Sequence, residues 1–570
     1  MDFEHLLYGG EAMNNARQEN RNFLYETLEG INSLRAQFST IFFEQIAPNI
    51  YNIEIPPDQE YLVDTILGRF TSAVPPELLG LNSREALAEA NILQFHDYPY
   101  GELRGNGVLI GFVDTGIDYT HKVFRNEDNT SRIVAIWDQS IPGAPPEGFT
   151  YGTEYLQEQI NEALRAEDPY SIVPSRDENG HGTFLAGIAA GDDKTVADEY
   201  FGGAPNASIA VVKLRPARQY IREYYVIREG AVAYQDNDVI AGISYLGNLA
   251  LRLKRPMIIC LAIGNNDGAH DGSSILERYL ERLSIVSGLV IVSSAGNETN
   301  AGHHFAGNIT NGATQSFEIN VEEGERGFTV MIWAMVPDKI SVSIRSPIGQ
   351  IIERVPLAPS KNETFTFTLQ QSEINIRYIY PYFKTGGLSI EIRFLNPVPG
   401  LWSITVYGDN IVNGRYNVWL PRVDFAERST RFLEPVPFTT VCIPSTAQNI
   451  IVVGAYSYID KSVYVASGRG PTADGHIKPD LIAPGLGINA PIPGGGFGTF
   501  VGTGAAAAIT AAACALLVQW ALIEENFPWI TTRIVRNILI RGATRQEGVT
   551  YPNNIEGYGR LNLFQSLQMI

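Results

Sequence analysis

Five apolar runs without polar alternation mark the middle and end of this chain. They are GVLIGFVDTG (107–116), ASIAVVKL (207–214), PMIICLAIG (256–264), GLVIVSSAGN (288–297) and NIIVVGAYS (449–457). A run with no polar face reads as a strand covered on both sides, which is the signature of a parallel sheet. Helical patterns lie between the runs, as in DNDVIAGISYLGNLALRL (236–253) and SSILERYLERLSIVSG (273–288). Strand–helix–strand alternation predicts an α/β fold with a doubly wound, mostly parallel sheet. Ligands and reacting groups in such sheets gather at the carboxyl ends of the strands.

Between 311 and 436 the texture changes. Stretches such as SFEINVEEGERGFTVMIWAMV and GLWSITVYGDNIVNGRYNVWLP alternate with period two and are broken by Gly, Pro and Asn. They predict an inserted β-sandwich of jelly-roll type. Before the first apolar run, residues 1–95 read as a separate small α+β unit. It is expected to hold a polar helix over about 11–38, an alternating strand at NIYNIEIPP, a second helix at DQEYLVDTILGRF and a helix starting near Ser83. The expected organisation is therefore 1–95, then an α/β domain in two parts (96–310 and 437–570) around the 311–436 insertion.

Composition narrows the function. The chain has 570 residues, 45% hydrophobic and 18% charged, enough for several packed cores. Its formal net charge of -20 repels phosphate backbones and anionic lipid, so neither nucleic acid nor a charged membrane surface is an expected partner. No basic region followed by an apolar run opens the sequence, so no secretory signal is expected. No uninterrupted apolar window of membrane-spanning length stands out, so no transmembrane segment is expected either. The three cysteines, Cys260, Cys442 and Cys514, lie in apolar runs and read as buried thiols in a reducing compartment. No histidine spacing suggests a metal site, and no cofactor is expected. His121, His303 and His304 read as surface or second-shell groups.

Four short stretches carry chemistry. GFVDTGIDYTH ends a strand with Asp114, DENGHGTFLAGIAAG opens a small-residue helix at His181, VIVSSAGNE ends a strand with Asn297, and FVGTGAAAAIT turns into a helix at Gly504. In that order they resemble the motifs of the subtilases, the subtilisin-like serine proteases. GGAPNASIAVVKL (202–214) and ASGRGPTADGHIKPDLIAPG (466–485) extend the resemblance.

The resemblance implies a role for each residue. A serine hydroxyl is a weak nucleophile that needs an adjacent base. His181 would be that base, Asp114 would fix its tautomer and stabilise its charge, and the Asn297 amide would donate to the oxyanion. The nucleophile should stand at 504, where this chain has glycine. In subtilisin itself, loss of the nucleophile costs about 10⁶ in kcat. Ala262, Ile263 and Gly264 align with the family's substrate-binding strand, which pairs with an extended peptide through main-chain bonds. Residues 1–95 would be a subtilase-type prodomain, uncleaved for want of a nucleophile, with its own tail near ILQFHDYPYGEL in the cleft.

The jelly-roll insertion, the N-terminal unit, AHDGSS (269–274) and GAAAAITAAACALL resemble the clostridial Csp proteases of spore germination. That subgroup implies one of two roles. The first is an inactive pseudoprotease in germinant signalling, partnered with germination proteases. The second is an active endopeptidase that processes the zymogen of a cortex hydrolase. It also implies synthesis in the cytoplasm and association with the spore.

Overall fold

The computed structural model describes residues 21–26, 35–36, 38, 41–47, 50–56, 73–74, 83–96, 102–193, 200–358, 362–367, 371–382 and 385–570. Two compact units divide between Leu81 and Asn82, earlier than the expected boundary at 95. In the first unit, strands Arg21–Glu26, Phe42–Ala47, Ile50–Ile55 and Ala73–Val74 form one sheet with antiparallel pairs. The NIYNIEIPP strand is present, with Ile53 and Ile55 buried. The helix expected over 11–38 is interrupted by the Arg21–Glu26 strand, where RNFLYE pairs with Ile50–Ile55. Sheet pairing overrides a polar sequence with weak helical periodicity. The helix expected at 58–70 lies outside the described residues.

In the second unit, an eight-stranded sheet holds all five apolar runs. Its order is Leu481–Pro484, Ile451–Tyr456, Leu289–Ser294, Met257–Leu261, Leu109–Asp114, Ser208–Lys213, Ile133–Asp138, Thr153–Leu156. Every pair is parallel except the last. Alternate residues feed two different cores. Ile110, Phe112, Ile258 and Cys260 face one side, and Leu109, Val113, Met257 and Ile259 face the other. Both faces need apolar side chains, which is why these strands show no polar alternation.

The helices cover those faces as the patterns require. Asp236–Leu253 and Ile275–Leu283 pack with the second core, the latter opened by a capping box in which Ser274 and Glu277 exchange bonds. The other face is covered by His181–Ala190 and Thr503–Val518. In Thr503–Val518 every residue but Gly504 is buried. A helix that is apolar all round must lie in a core. With its continuation to Ile523 it is long and apolar enough to cross a bilayer, but 83% of its most apolar 18-residue window is buried inside the unit, as in the core helix of a folded domain.

The insertion is a β-sandwich of two antiparallel sheets around its own core, built from residues such as Ile319, Val330, Ile376, Phe394 and Trp402. It begins with strand His304–Asn308 and ends with Arg431–Phe432. It is locked to the α/β sheet where Trp419 is stacked between His270 (4.2 Å, 10°) and His304 (5.0 Å, 24°). His303 and His304 are buried at this junction and His121 is buried beside Phe497, so none of the three is a surface group. Packing against the sandwich buries His303 and His304, and packing within the α/β part buries His121; a local sequence pattern carries no sign of either.

Candidate functional site

Asp114 is the last residue of the central Leu109–Asp114 strand, so its carboxylate emerges at the carboxyl edge of the sheet. His181 opens the helix that packs against that strand. The two meet: His181 Nδ1 donates to Asp114 Oδ1 at 2.8 Å, since a carboxylate can only accept. Thr115 N also donates to Asp114 Oδ1 at 2.8 Å, which holds the carboxylate in place. Asp114 is buried, while the His181 side chain is 36% exposed. Burial opposes charge on the imidazole, but the Asp114 carboxylate outweighs it, and the His181 pKa lies above its ordinary value.

The close approach of helix and strand rests on residues that the motif reading missed. Asp177 is buried and accepts from Gly180 N (2.8 Å), Thr183 N (2.9 Å) and Thr183 Oγ1 (2.6 Å), tying down the helix start. It also accepts from Thr115 Oγ1 at 2.8 Å, and Thr115 Oγ1 accepts from Gly182 N at 2.9 Å. One carboxylate thus joins the aspartate loop to the histidine helix. An Asp four residues before the histidine in DENGHGT is the signal that could have found it. A Cβ on Gly182 would lie 2.1 Å from the Gly116 carbonyl oxygen, so only glycine lets the two segments touch.

Gly504 is the second residue of the buried helix. A Cβ built there would stand 3.4 Å from His181 Nε2, 3.4 Å from Ala262 Cβ and 3.5 Å from Leu185 Cδ2, all ordinary contacts. A hydroxyl one bond further out falls within hydrogen-bond reach of Nε2. Thr503, the neighbouring hydroxyl, is engaged elsewhere: its N–H and Oγ1 both donate to Asn297 Oδ1 at 3.1 Å, and Gly296 N donates to its Oγ1 at 3.2 Å. The Thr503 N–H can bond only the carbonyl end of Asn297. That leaves Asn297 Nδ2 as the free end beside Gly502 and the helix start.

Ala262, Ile263 and Gly264 line the same cleft as Asp114 and His181, a space of about 360 Å³. The cleft wall is partly self-satisfied. Arg422 Nη1 donates to the Gly264 carbonyl at 2.7 Å, and Asn265 and Ile443 exchange main-chain bonds at 2.9 Å. Arg422 lies 158 residues from Gly264 in sequence, and no local pattern points to it. Residues 92–96 pack away from the cleft, with Phe95 on Phe564 and His96 bonded to the Gly203 carbonyl. Of the rest of the expected cleft tail, 97–101 lie outside the described residues and Leu103 is buried in a hydrophobic core. Among the described residues no group of three His, Cys, Asp or Glu could hold a metal ion. The three cysteines are buried and free, and burial pushes each thiol well up.

A sheet with an aspartate at its central strand end, a histidine at a helix start and an asparagine beside the turn into a buried helix defines the subtilisin-like class. The model of the subtilase family of peptidases matches residues 105–327 and 433–559. This chain belongs to the subtilase family. Among solved structures it is similar to the Clostridium perfringens CspB protease, with 32% identity, a TM-score of 0.75, and 85% of this chain and 98% of that one covered. Among curated proteins it is similar to the subtilisin-like protease SBT3.5 of Arabidopsis thaliana, 24% identical over 72% of this chain and 56% of that protein. It is also similar to the C5a peptidase of Streptococcus pyogenes serotype M1, 22% identical over 77% of this chain and 37% of that protein. The chain thus spans about half or less of the length of these curated relatives.

Proposed function

We propose that this chain is a pseudoprotease of the Csp subgroup: a subtilase scaffold whose hydrolytic site is silent and whose role is binding and signalling in spore germination. One observation carries the reading: the place of the nucleophile is built but empty. Asp114 holds His181, and His181 Nε2 faces the position of a Gly504 Cβ at 3.4 Å. Without the hydroxyl no acyl-enzyme forms. What remains is the oxyanion donor Asn297 and a cleft at Ala262–Gly264, which are tools for holding a peptide. On this reading residues 1–95 stay attached as an uncleaved prodomain and the sandwich, which we read as of jelly-roll type, presents a surface to germination proteases or a cortex-hydrolase zymogen. The chain is made in the cytoplasm and stays with the spore.

The retained Asp114–His181 pair favours one second reading: that the scaffold belongs to an active endopeptidase acting on a cortex-hydrolase zymogen. Labelling with a fluorophosphonate probe separates the two. The protein as written takes no label and runs as one species near 62.7 kDa, whereas Gly504→Ser takes label and releases its N-terminal unit. Labelling of the protein as written would sink the silent-site reading. The signalling role is tested in spores: deletion slows germination and a His181→Ala copy restores it. Failure of His181→Ala to restore it would mean that chemistry, not binding, is the function.

A further inference from the structure

A second cavity, of about 260 Å³, lies at the seam between the α/β sheet and the sandwich. One wall comes from Tyr225, Tyr234 and Asp267 of the α/β side, the other from Thr329, Trp419 and Phe425 at or beside the sandwich. Its lining mixes aromatic and aliphatic side chains with polar ones, Gln235, Asn265 and Asn266 among them.

Its wall carries two carboxylates, Asp267 and the exposed Asp236, while Glu391, which lies close enough to act on Asp267, is paired with Arg377 at 3.8 Å. The guanidinium in the wall, Arg422, is committed elsewhere: Nη1 bonds the Gly264 carbonyl, Nη2 bonds Asp424 at 2.9 Å, and Glu298 lies beside it. Among the described residues Asp267 has no ion-pair partner, only a hydrogen bond from Tyr225. Burial, with Glu391 next in effect, pushes the Asp267 carboxyl up to about 7. A carboxyl held in that state is one that a bound cation would restore to full charge.

Thr329, a second feature, lines the same space. Thr329 is 96% buried (4% exposed), and its Oγ1 has no hydrogen-bond partner. Buried hydroxyls are almost always bonded, so an orphan lining a cavity marks a place for a ligand group.

We propose that this seam cavity binds a small organic ammonium compound, with Asp267 as its counter-ion, Thr329 Oγ1 as a hydrogen-bond partner and the rings of Tyr225, Tyr234 and Phe425 around its hydrocarbon. Aromatic faces and a carboxylate together select a cation over a neutral molecule of the same shape. The site adjoins the cleft of Asp114 and His181, with Tyr234, Asp267, Arg422 and Phe425 lining both, but it does not use Gly504. Because its walls come from both the sheet and the sandwich, occupancy reports on how the two are held together.

The test is calorimetric titration of the full chain at about pH 8, where an Asp267 near 7 is ionised. The probes are 2-phenylethylammonium chloride and its neutral counterpart 2-phenylethanol. The expected result is saturable binding of the ammonium, with the alcohol at least tenfold weaker. Asp267→Asn weakens the ammonium at least tenfold, and Thr329→Val weakens it several-fold, both in proteins whose melting shows a folded chain. The proposal is overturned if the ammonium shows no saturable binding at millimolar concentration. Equal binding of the two probes, or undiminished binding to a folded Asp267→Asn protein, also overturns it.

Discussion

Asp114 changes what His181 can do. With the carboxylate 2.8 Å from Nδ1, the imidazole is held in one tautomer with Nε2 toward residue 504, and its charged form is stabilised. In Asp114→Asn the charge is gone while burial remains, so the His181 pKa falls below its value in the parent protein; imidazole NMR titration reads this directly. An unchanged pKa would show that Asp114 does not govern the histidine. His304 is the opposite case. Burial holds it down at about 4, against hydrogen bonds such as that to Asn417, while an unfolded chain titrates near 6.5. A depressed pKa contributes stability that is present above pH 6.5 and is lost as pH falls toward 4. His304→Gln removes that titration. Its urea-unfolding free energy should therefore fall less steeply between pH 6.5 and 4.5, by up to about 1.4 kcal/mol per pH unit.

Two glycines in the two site helices predict opposite outcomes at the scale of elements. Gly182 lies where the histidine helix touches the aspartate loop, and an added Cβ would meet the Gly116 carbonyl at 2.1 Å. Backbone must move to accommodate it. Gly182→Ala is expected to cost about 3 kcal/mol or more in thermal or urea unfolding, from overpacking at a fixed contact. Gly504 has only ordinary contacts around the same atom. Gly504→Ser is therefore expected to leave stability unchanged or raise it by a few tenths of a kcal/mol, since serine is the better helix former. A loss as large as that of Gly182→Ala would mean that the turn has closed over the nucleophile's place.

At the scale of the whole molecule, the sandwich and the α/β sheet share one compact unit through a small set of buried rings. Trp419 is fully buried between His270 and His304, with Nε1 donating to the Thr439 carbonyl. Trp419→Ala removes the central ring of that stack and is expected to cost about 3–5 kcal/mol. Calorimetry is expected to show one transition for the Asn82–Ile570 unit in the parent protein and two in the variant, the sandwich separating from the sheet. A single, undiminished transition would place the coupling elsewhere in the seam.

The parallel sheet was readable because it leaves a mark in every strand: residues such as Ile110 and Val113 face two different cores, so polar alternation disappears. The site words were readable because each lies at a strand end or helix start, where backbone geometry demands a particular short pattern. Asp114, His181, Asn297 and Gly504 lie at such places, and the resemblance to the subtilases is what gives each its expected role. The strand at Arg21–Glu26 was not readable, because its partner Ile50–Ile55, rather than its own sequence, makes it a strand. Nor was the capture of the Gly264 carbonyl by Arg422, the burial of His304 or the cavity beside Thr329. Each of these joins residues far apart in the chain across a domain seam, and a contact of that kind leaves no periodicity and no motif. The sequence by itself determined the sheet covered on both faces and, through its resemblance to the subtilases, that glycine stands at the position expected for the serine. Only the tertiary structure decided that the place for that nucleophile is still open and which polar groups at the seam go without partners, because both depend on surfaces that meet only after folding.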